Sequence, residues 1–251
     1  MGMVYPDNDS LCDAVASRRL YLGIPSFDAV VVDAMRRIDR GMFAPPGERD
    51  AYADAPVAIG AGQTCSQPSM VAAMATMLEL APGMRGLEVG AGCGYSAAVT
   101  ASLISPGGSL FAVEFLPELA ETARANLAKF DFDAEVEVIT GDGSAGLPAR
   151  APFDRIYFAA GAGFGFDESP LLEQLKPGGV LLYPQALTLL IGGMNLNAGR
   201  ILVLLLMAKL LFASGGAGRF KWSWMDAFMV LTFLCCAISY TRNVPSNVVI
   251  V

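Results

Sequence analysis

Histidine is absent from all 251 residues. That gap removes histidine general bases, Ser-His-Asp triads and histidine-ligated metals together. The five cysteines (Cys12, Cys65, Cys93, Cys235 and Cys236) form no C-x-x-C pair and leave an odd count. No disulfide framework and no metal are expected, and a reducing cytosol is the simplest compartment. Charge is sparse and uneven. Residues 1–185 hold 12 basic and 23 acidic side chains, a balance of −11, whereas residues 186–251 hold five basic side chains and one acid, a balance of +4. An acidic main body argues against a nucleic-acid partner. The first nineteen residues lack the apolar segment of a signal peptide, and no internal repeat is visible. The length accommodates one α/β domain of ordinary size with an appendage.

The chain is organised around 87–95, Leu-Glu-Val-Gly-Ala-Gly-Cys-Gly-Tyr. An apolar strand end meets three alternating glycines, and the helix former Ser96-Ala97-Ala98-Val99-Thr100 follows. Glycine allows a sharp strand-to-helix turn and a close ligand approach. The opening of the helix offers free N–H groups and a partial positive charge. The spacing is G-x-G-x-G, with Tyr95 where a dinucleotide motif has its last glycine. Residues Glu88, Gly90, Ala91, Gly92, Gly94 and Tyr95 are therefore candidate ligand contacts.

Elsewhere the chain alternates strand and helix. Ser26 reads as the cap of a helix ending at Gly41. Pro68 stands in the first turn of a helix over 69–80, where a missing N–H is harmless; in that setting Ser66 reads either as its cap or as a functional hydroxyl. Strands are predicted at 86–89, 109–114, 135–140, 155–160 and 180–183, the last after the turn Lys176-Pro177-Gly178-Gly179. Helices are predicted at 118–129 and 169–175. Such alternation implies a parallel sheet with right-handed crossovers and a ligand site at the carboxyl ends of the strands. Gly90, Glu114 and Asp142 all fall at such ends, and Glu114 stands at the offset where an acid meets ribose hydroxyls. Residues 1–25 carry no clear pattern.

The E-x-G-x-G-x-G loop resembles the S-adenosylmethionine (SAM) loop of Rossmann-like methyltransferases. Residues 33–184 further resemble the protein-L-isoaspartate O-methyltransferase family. The likeness is carried by Met35–Phe43 (M-R-R-I-D-R-G-M-F), Ala51–Pro56, Gly62–Pro68 (G-Q-T-C-S-Q-P), Gly141-Asp142-Gly143, Ala151–Asp154 and Leu172–Tyr183. Gly62–Pro68 is its most specific segment. The resemblance implies a mainly parallel sheet with helices on both faces, SAM as cofactor, and isoaspartyl-containing proteins or peptides as substrate. It places the Ser66 hydroxyl against the substrate carboxylate as the catalytic group, with Asp54, Thr64 and Gln67 beside it. It sets Gly90–Gly94 on the methionine moiety, Glu114 on the ribose, and Asp142 with Gly143 near the adenine. Asp54 equally suits a structural loop role. Cys65 stands where the family has an apolar residue, and Gly161–Asp167 replaces its short loop.

After Pro184 the likeness ends. Residues 201–213 carry only Lys209 as a charge, and 227–241 carry none. This hydrophobic helical tail, 185–251, reads as membrane-associated, and 200–242 resembles in composition the first membrane helices of O-antigen ligase-like polymerases. The domain expectation is therefore a methyltransferase unit, 1–184, with a helical N-terminal region (residues 1–82) and a Rossmann-like core (residues 83–184), followed by the tail. Two other functions stay open: a SAM-dependent methyltransferase for another small acid or lipid at a membrane, and an inactive remnant.

Overall fold

The alternation of short β-forming and helical segments builds a parallel sheet. The computed structural model describes residues 3–19, 21–22, 24–161 and 166–182, and the short strands at 189–191, 194–196 and 248–250. Near the N-terminus lies α1 (Asn8–Ser17), a helix the sequence did not announce. The Asp7 carboxylate accepts the Ser10 N–H at 2.8 Å to cap it, and Leu11, Cys12 and Val15 bury its single apolar stripe. Next comes α2 (Ala29–Arg37). Its cap is Asp28, which accepts from Val30 N, and not the expected Ser26. It ends at Ile38, before Gly41, because Asp39 starts a new 3-10 turn over Arg40–Phe43 by accepting the Gly41 N–H.

An antiparallel hairpin follows, β1 (Val57–Gly60) with β2 (Gln63–Cys65), turning through Gly60-Ala61-Gly62. Then α3 (Pro68–Leu78) runs with proline in its first turn. It stops two residues short of expectation because Glu79 adopts the left-handed conformation, φ +47°.

The central elements are β3 (Arg85–Val89), α4 (Tyr95–Ile104), β4 (Gly108–Glu114), α5 (Pro117–Leu127), β5 (Ala134–Thr140), β6 (Phe153–Phe158), α6 (Ser169–Leu172) and β7 (Leu175–Leu182). With β10 (Val248–Ile250) at one edge, the sheet order is β10-β7-β6-β3-β4-β5. The β5-β4, β4-β3, β3-β6 and β6-β7 pairings are all parallel. A parallel sheet covered on both faces has apolar strands throughout; Leu87, Leu110, Phe111, Ala112 and Ile156 are fully buried. Order reverses at β3, which has β4 on one side and β6 on the other, and a sheet of this kind opens its crevice at such a reversal. Helix α4 is buried nearly all round.

Two boundaries differ instructively from expectation. Strand β6 starts at Phe153, and β7 starts at Leu175, so Lys176-Pro177-Gly178-Gly179 is not a turn before the strand. It is a bulge within it, the register passing from Phe153↔Leu175 to Arg155↔Val180. Helix α6 stops at Leu172 because Gln174 is drawn elsewhere: its carbonyl accepts Phe153 N, and its amide side chain serves Leu147 N, Ala145 O and Pro170 O.

The chain divides into two compact units. The second contains the hairpin β8 (Leu189–Ile191) with β9 (Met194–Leu196), antiparallel. The charge-poor runs of the predicted helical tail, 201–213 and 227–241, lie outside the described residues. Among the described residues no helix is long and apolar enough to cross a membrane.

Candidate functional site

The turn after β3 sits at the order reversal. Gly90 has φ +95°, and a Cβ there would fall 2.5 Å from the Ala160 Cβ and 2.8 Å from its backbone nitrogen, so only glycine fits between β3 and β6. Gly92 has φ +54°, and its side-chain direction is open except for the Ile59 Cδ1 at 3.3 Å. The turn is braced from within. Gly90 N and Ala91 N donate to Val113 O at 2.7 and 3.2 Å, and Gly92 N donates to the Glu114 Oε2 at 2.8 Å. Three amides expected to face a ligand are thus engaged by β4 and its terminal acid. The other oxygen of Glu114 accepts Leu116 N at 3.0 Å.

A small cleft lies beside this turn. Thr64 and Ser66 line one wall, and Glu88, Gly90, Gly92 and Tyr95 line another. Glu88 is fully buried, and neither carboxylate oxygen has a partner in hydrogen-bond geometry. Burial pushes its pKa up to about 8; the Ser96 and Tyr157 hydroxyls near it oppose that, and the Glu114 charge adds to it. Tyr157 Oη is itself 2.8 Å from Thr100 Oγ1. An unpartnered buried acid on a cleft wall suits a ligand bearing a positive group.

The hairpin carries Thr64, which is exposed, and Ser66, which is half-buried. Ser66 does not cap α3. The capping position is held by Gln67, without a side-chain bond of its own, and Asp54 supplies the acceptor instead. Asp54 Oδ1 accepts Ser69 N at 2.9 Å, Oδ2 accepts Ser69 Oγ at 2.6 Å, and Arg18 pairs with the same carboxylate. Asp54 is therefore an internal anchor outside the cleft lining, the structural alternative for this residue. Gln67 Oε1 accepts Tyr21 Oη at 3.3 Å and also stands off the cleft. Gly94 opens α4, with φ +88°. Asp142 and Gly143 follow β5, and Asp142 is exposed, its carboxylate holding Ser144 N at 2.9 Å, a bond that keeps its pKa below the usual range.

Sequence reasoning gave no role to Arg40, Cys93 or Phe115 and read Cys65 only as a stand-in for an apolar residue. Arg40 is buried beneath the hairpin; its Nη atoms donate to backbone carbonyls, its Nε has no hydrogen-bond partner, and its guanidinium lies against the Cys65 thiol. Cys65 and Cys93, which both line the cleft, touch through their thiols. Phe115 directly follows Glu114 and is 70% exposed, an aromatic ring left in water at the ligand end of the sheet. An acid-then-aromatic pair at a strand end was the available signal for it.

Comparison with known proteins matches these features as a set. The Plasmodium falciparum structure described as a putative protein-L-isoaspartate O-methyltransferase in complex with S-adenosyl-L-homocysteine has a TM-score of 0.59 and 25% identity over 70% of this chain and 83% of its own. Another structure titled protein-L-isoaspartate O-methyltransferase gives TM-score 0.59 and 27% identity, over 69% of this chain and 54% of that one. The protein-L-isoaspartate O-methyltransferase of Methanopyrus kandleri is 52% identical over 155 residues, 61% of this chain and 68% of the relative. That of Aeropyrum pernix is 50% identical over 155 residues, again 61% of this chain but only 59% of the relative's length. The sequence pattern described as Protein-L-isoaspartate(D-aspartate) O-methyltransferase matches residues 22–188. That stretch holds the hairpin, the glycine turn, Glu114 and the Asp142 turn on one parallel sheet, and on this ground the chain belongs to the protein-L-isoaspartate(D-aspartate) O-methyltransferase family.

Proposed function

We propose that the chain transfers a methyl group from SAM to the free α-carboxylate of isoaspartyl residues in damaged proteins. The observation that carries this reading is the shared cleft, with Thr64 and Ser66 on one wall and Glu88, Gly90 and Gly92 on the other. Family membership and the Plasmodium relative in complex with S-adenosyl-L-homocysteine support the cofactor.

The residues suit that group. Gly90 and Gly92 leave the turn without Cβ atoms, and the unpartnered Glu88 carboxylate is a fitting neighbour for an ammonium. When bound, SAM supplies an activated methyl on a sulfonium. Glu114, already fixed at the end of β4, is placed to take ribose hydroxyls, with Phe115 and the Asp142-Gly143 turn flanking the adenine side. Ser66 donates its hydroxyl to the acceptor carboxylate and aims one oxygen at the methyl group. No base is required, since a peptide α-carboxyl with a pKa near ~3.5 is ionised at neutral pH. The work of the site is alignment, which by itself supplies large rate factors. A chain without histidine is sufficient for this chemistry.

The test is methyl transfer from labelled SAM to an isoaspartyl peptide, with the aspartyl isomer as control. Equal labelling of the two, or none of either, refutes the reading. We place the boundary of the methyltransferase unit at Pro184. Membrane contact through 186–251 has only the sequence behind it, the charge-poor runs 201–213 and 227–241. Fractionation of full-length protein followed by an alkaline wash decides it, and protein that remains monodisperse without detergent removes it.

A further inference from the structure

Among the described residues Arg40 is the largest fully buried side chain, 1% exposed, and no carboxylate there pairs with it. A buried charge without a counter-ion is costly unless dipoles surround it. Here backbone carbonyls surround the two Nη atoms, while Nε has no hydrogen-bond partner, and the carbonyls come from two separate segments. Nη1 donates to Ala51 O at 2.6 Å, with Ala53 O at 3.5 Å, and Nη2 donates to both Ala55 O and Ser66 O at 3.1 Å. The guanidinium thus spans the 51–55 turn and the cleft hairpin. Its carbon lies 5.8 Å from the centre of the Tyr95 ring, which opens α4 at the glycine turn. Arg40 is held in turn: its N–H donates to Asn8 Oδ1, and the Asn8 amide donates to Met35 O at 3.0 Å.

The same 51–55 turn carries Asp54, which grips Ser69. The backbone around the Ser66 hydroxyl is therefore fixed on both sides, by Arg40 at the Ser66 carbonyl and by Asp54 three residues on. We infer that Arg40 is a positioning residue, whose forked guanidinium sets the Ser66 hydroxyl at its working place opposite the glycine turn. This rests on the proposed reaction, in which Ser66 meets the acceptor carboxylate. Two segments require two donor arms in a rigid plane, which lysine does not possess. Small displacements of an aligning group lower rates steeply.

The test compares wild type with Arg40→Lys in the full chain, measuring peptide kcat/KM, SAM Kd and amide hydrogen exchange. Arg40→Lys is expected to lower kcat/KM for the isoaspartyl peptide at least tenfold and to leave SAM Kd within twofold. It is also expected to speed exchange at 64–67 while β3 and β4 stay protected. Arg40→Ala should regain protection at 64–67 when guanidinium ion is added at millimolar concentration, and should not regain it with ammonium. Overturning results are a kcat/KM within threefold of wild type, a parallel loss of SAM affinity, exchange that accelerates throughout, or a lysine variant that does not fold. If wild type methylates no isoaspartyl peptide, the proposed reaction falls, and the local exchange pattern still decides whether Arg40 places the hairpin.

Discussion

Replacing Glu88 by glutamine should change how stability depends on pH. The carboxyl is fully buried, the nearby Ser96 and Tyr157 hydroxyls offset only part of the cost, and its pKa is raised from 4.5 to about 8. A raised folded-state pKa means that the native state holds a proton which the unfolded chain releases. The neutral form's advantage is complete below about pH 4.5 and is lost as pH rises through 8. Each pH unit inside that window removes about 1.4 kcal/mol, and the whole window on the order of 4–5 kcal/mol. Glutamine keeps the shape and abolishes the titration. Between about pH 5.5 and 7.5, Glu88→Gln should therefore gain roughly 2–3 kcal/mol relative to wild type, about 1 M in urea midpoint for an ordinary slope. The assay is urea unfolding of both proteins at several pH values, which cancels every other titrating group. A stability difference that stays constant within about 0.5 kcal/mol across the window refutes the burial argument. Saturating SAM should flatten the wild-type slope, because an ammonium against Glu88 stabilises its charged form.

Gly92→Val should abolish SAM binding by calorimetry and leave far-UV circular dichroism unchanged; the φ of +54° and the Ile59 contact at 3.3 Å are local strains of about 1–2 kcal/mol. Unchanged affinity would remove the turn from the cofactor site. Glu114→Ala should weaken SAM by roughly 1–3 kcal/mol, since Gly92 N and Leu116 N lose their acceptor along with any ribose contact; no detectable loss makes the acid a brace only. Ser66→Ala should lower turnover with SAM affinity and stability intact, whereas Asp54→Ala should lose about 1–2 kcal/mol of stability as well as turnover, because its hold on Ser69 helps fix the backbone at Ser66. Stability and rate measured on the same preparations separate the two, and an exchange of these phenotypes would contradict the cap assignment.

The parallel sheet was legible because β4 is a buried apolar run ended by an acid, β3 runs into the glycine turn, and β5 alternates β-branched with charged residues, all between helical segments. Glu114 and the glycine turn were readable for the same reason. What the sequence hid depends on partners distant in the chain. Helix α1 has only Leu11, Cys12 and Val15 as an apolar stripe, too little periodicity to see. The β1–β2 hairpin has strands of four and three residues, too short for alternation to show. The cap of α3 was sought next to the helix, at Ser66, whereas the acceptor comes from Asp54, brought up by the fold. Arg40 left no trace because its acceptors are carbonyls, which every residue has. For Glu88 the sequence showed an acid at a strand end, but its lack of partners emerges only from packing.

The bulge in β7 places three surplus residues at the amino-terminal end of the sheet, opposite the cleft. Gly178, at φ +78°, has nothing within 4 Å of where a side chain would project. Lys176 pins the excursion to Asp154 Oδ2 at 2.8 Å, so the detour is anchored and does not pull on the strand. The sheet thereby has a blind end at which chain length can vary without reaching the chemistry, a natural point for attaching a reporter or a surface tether.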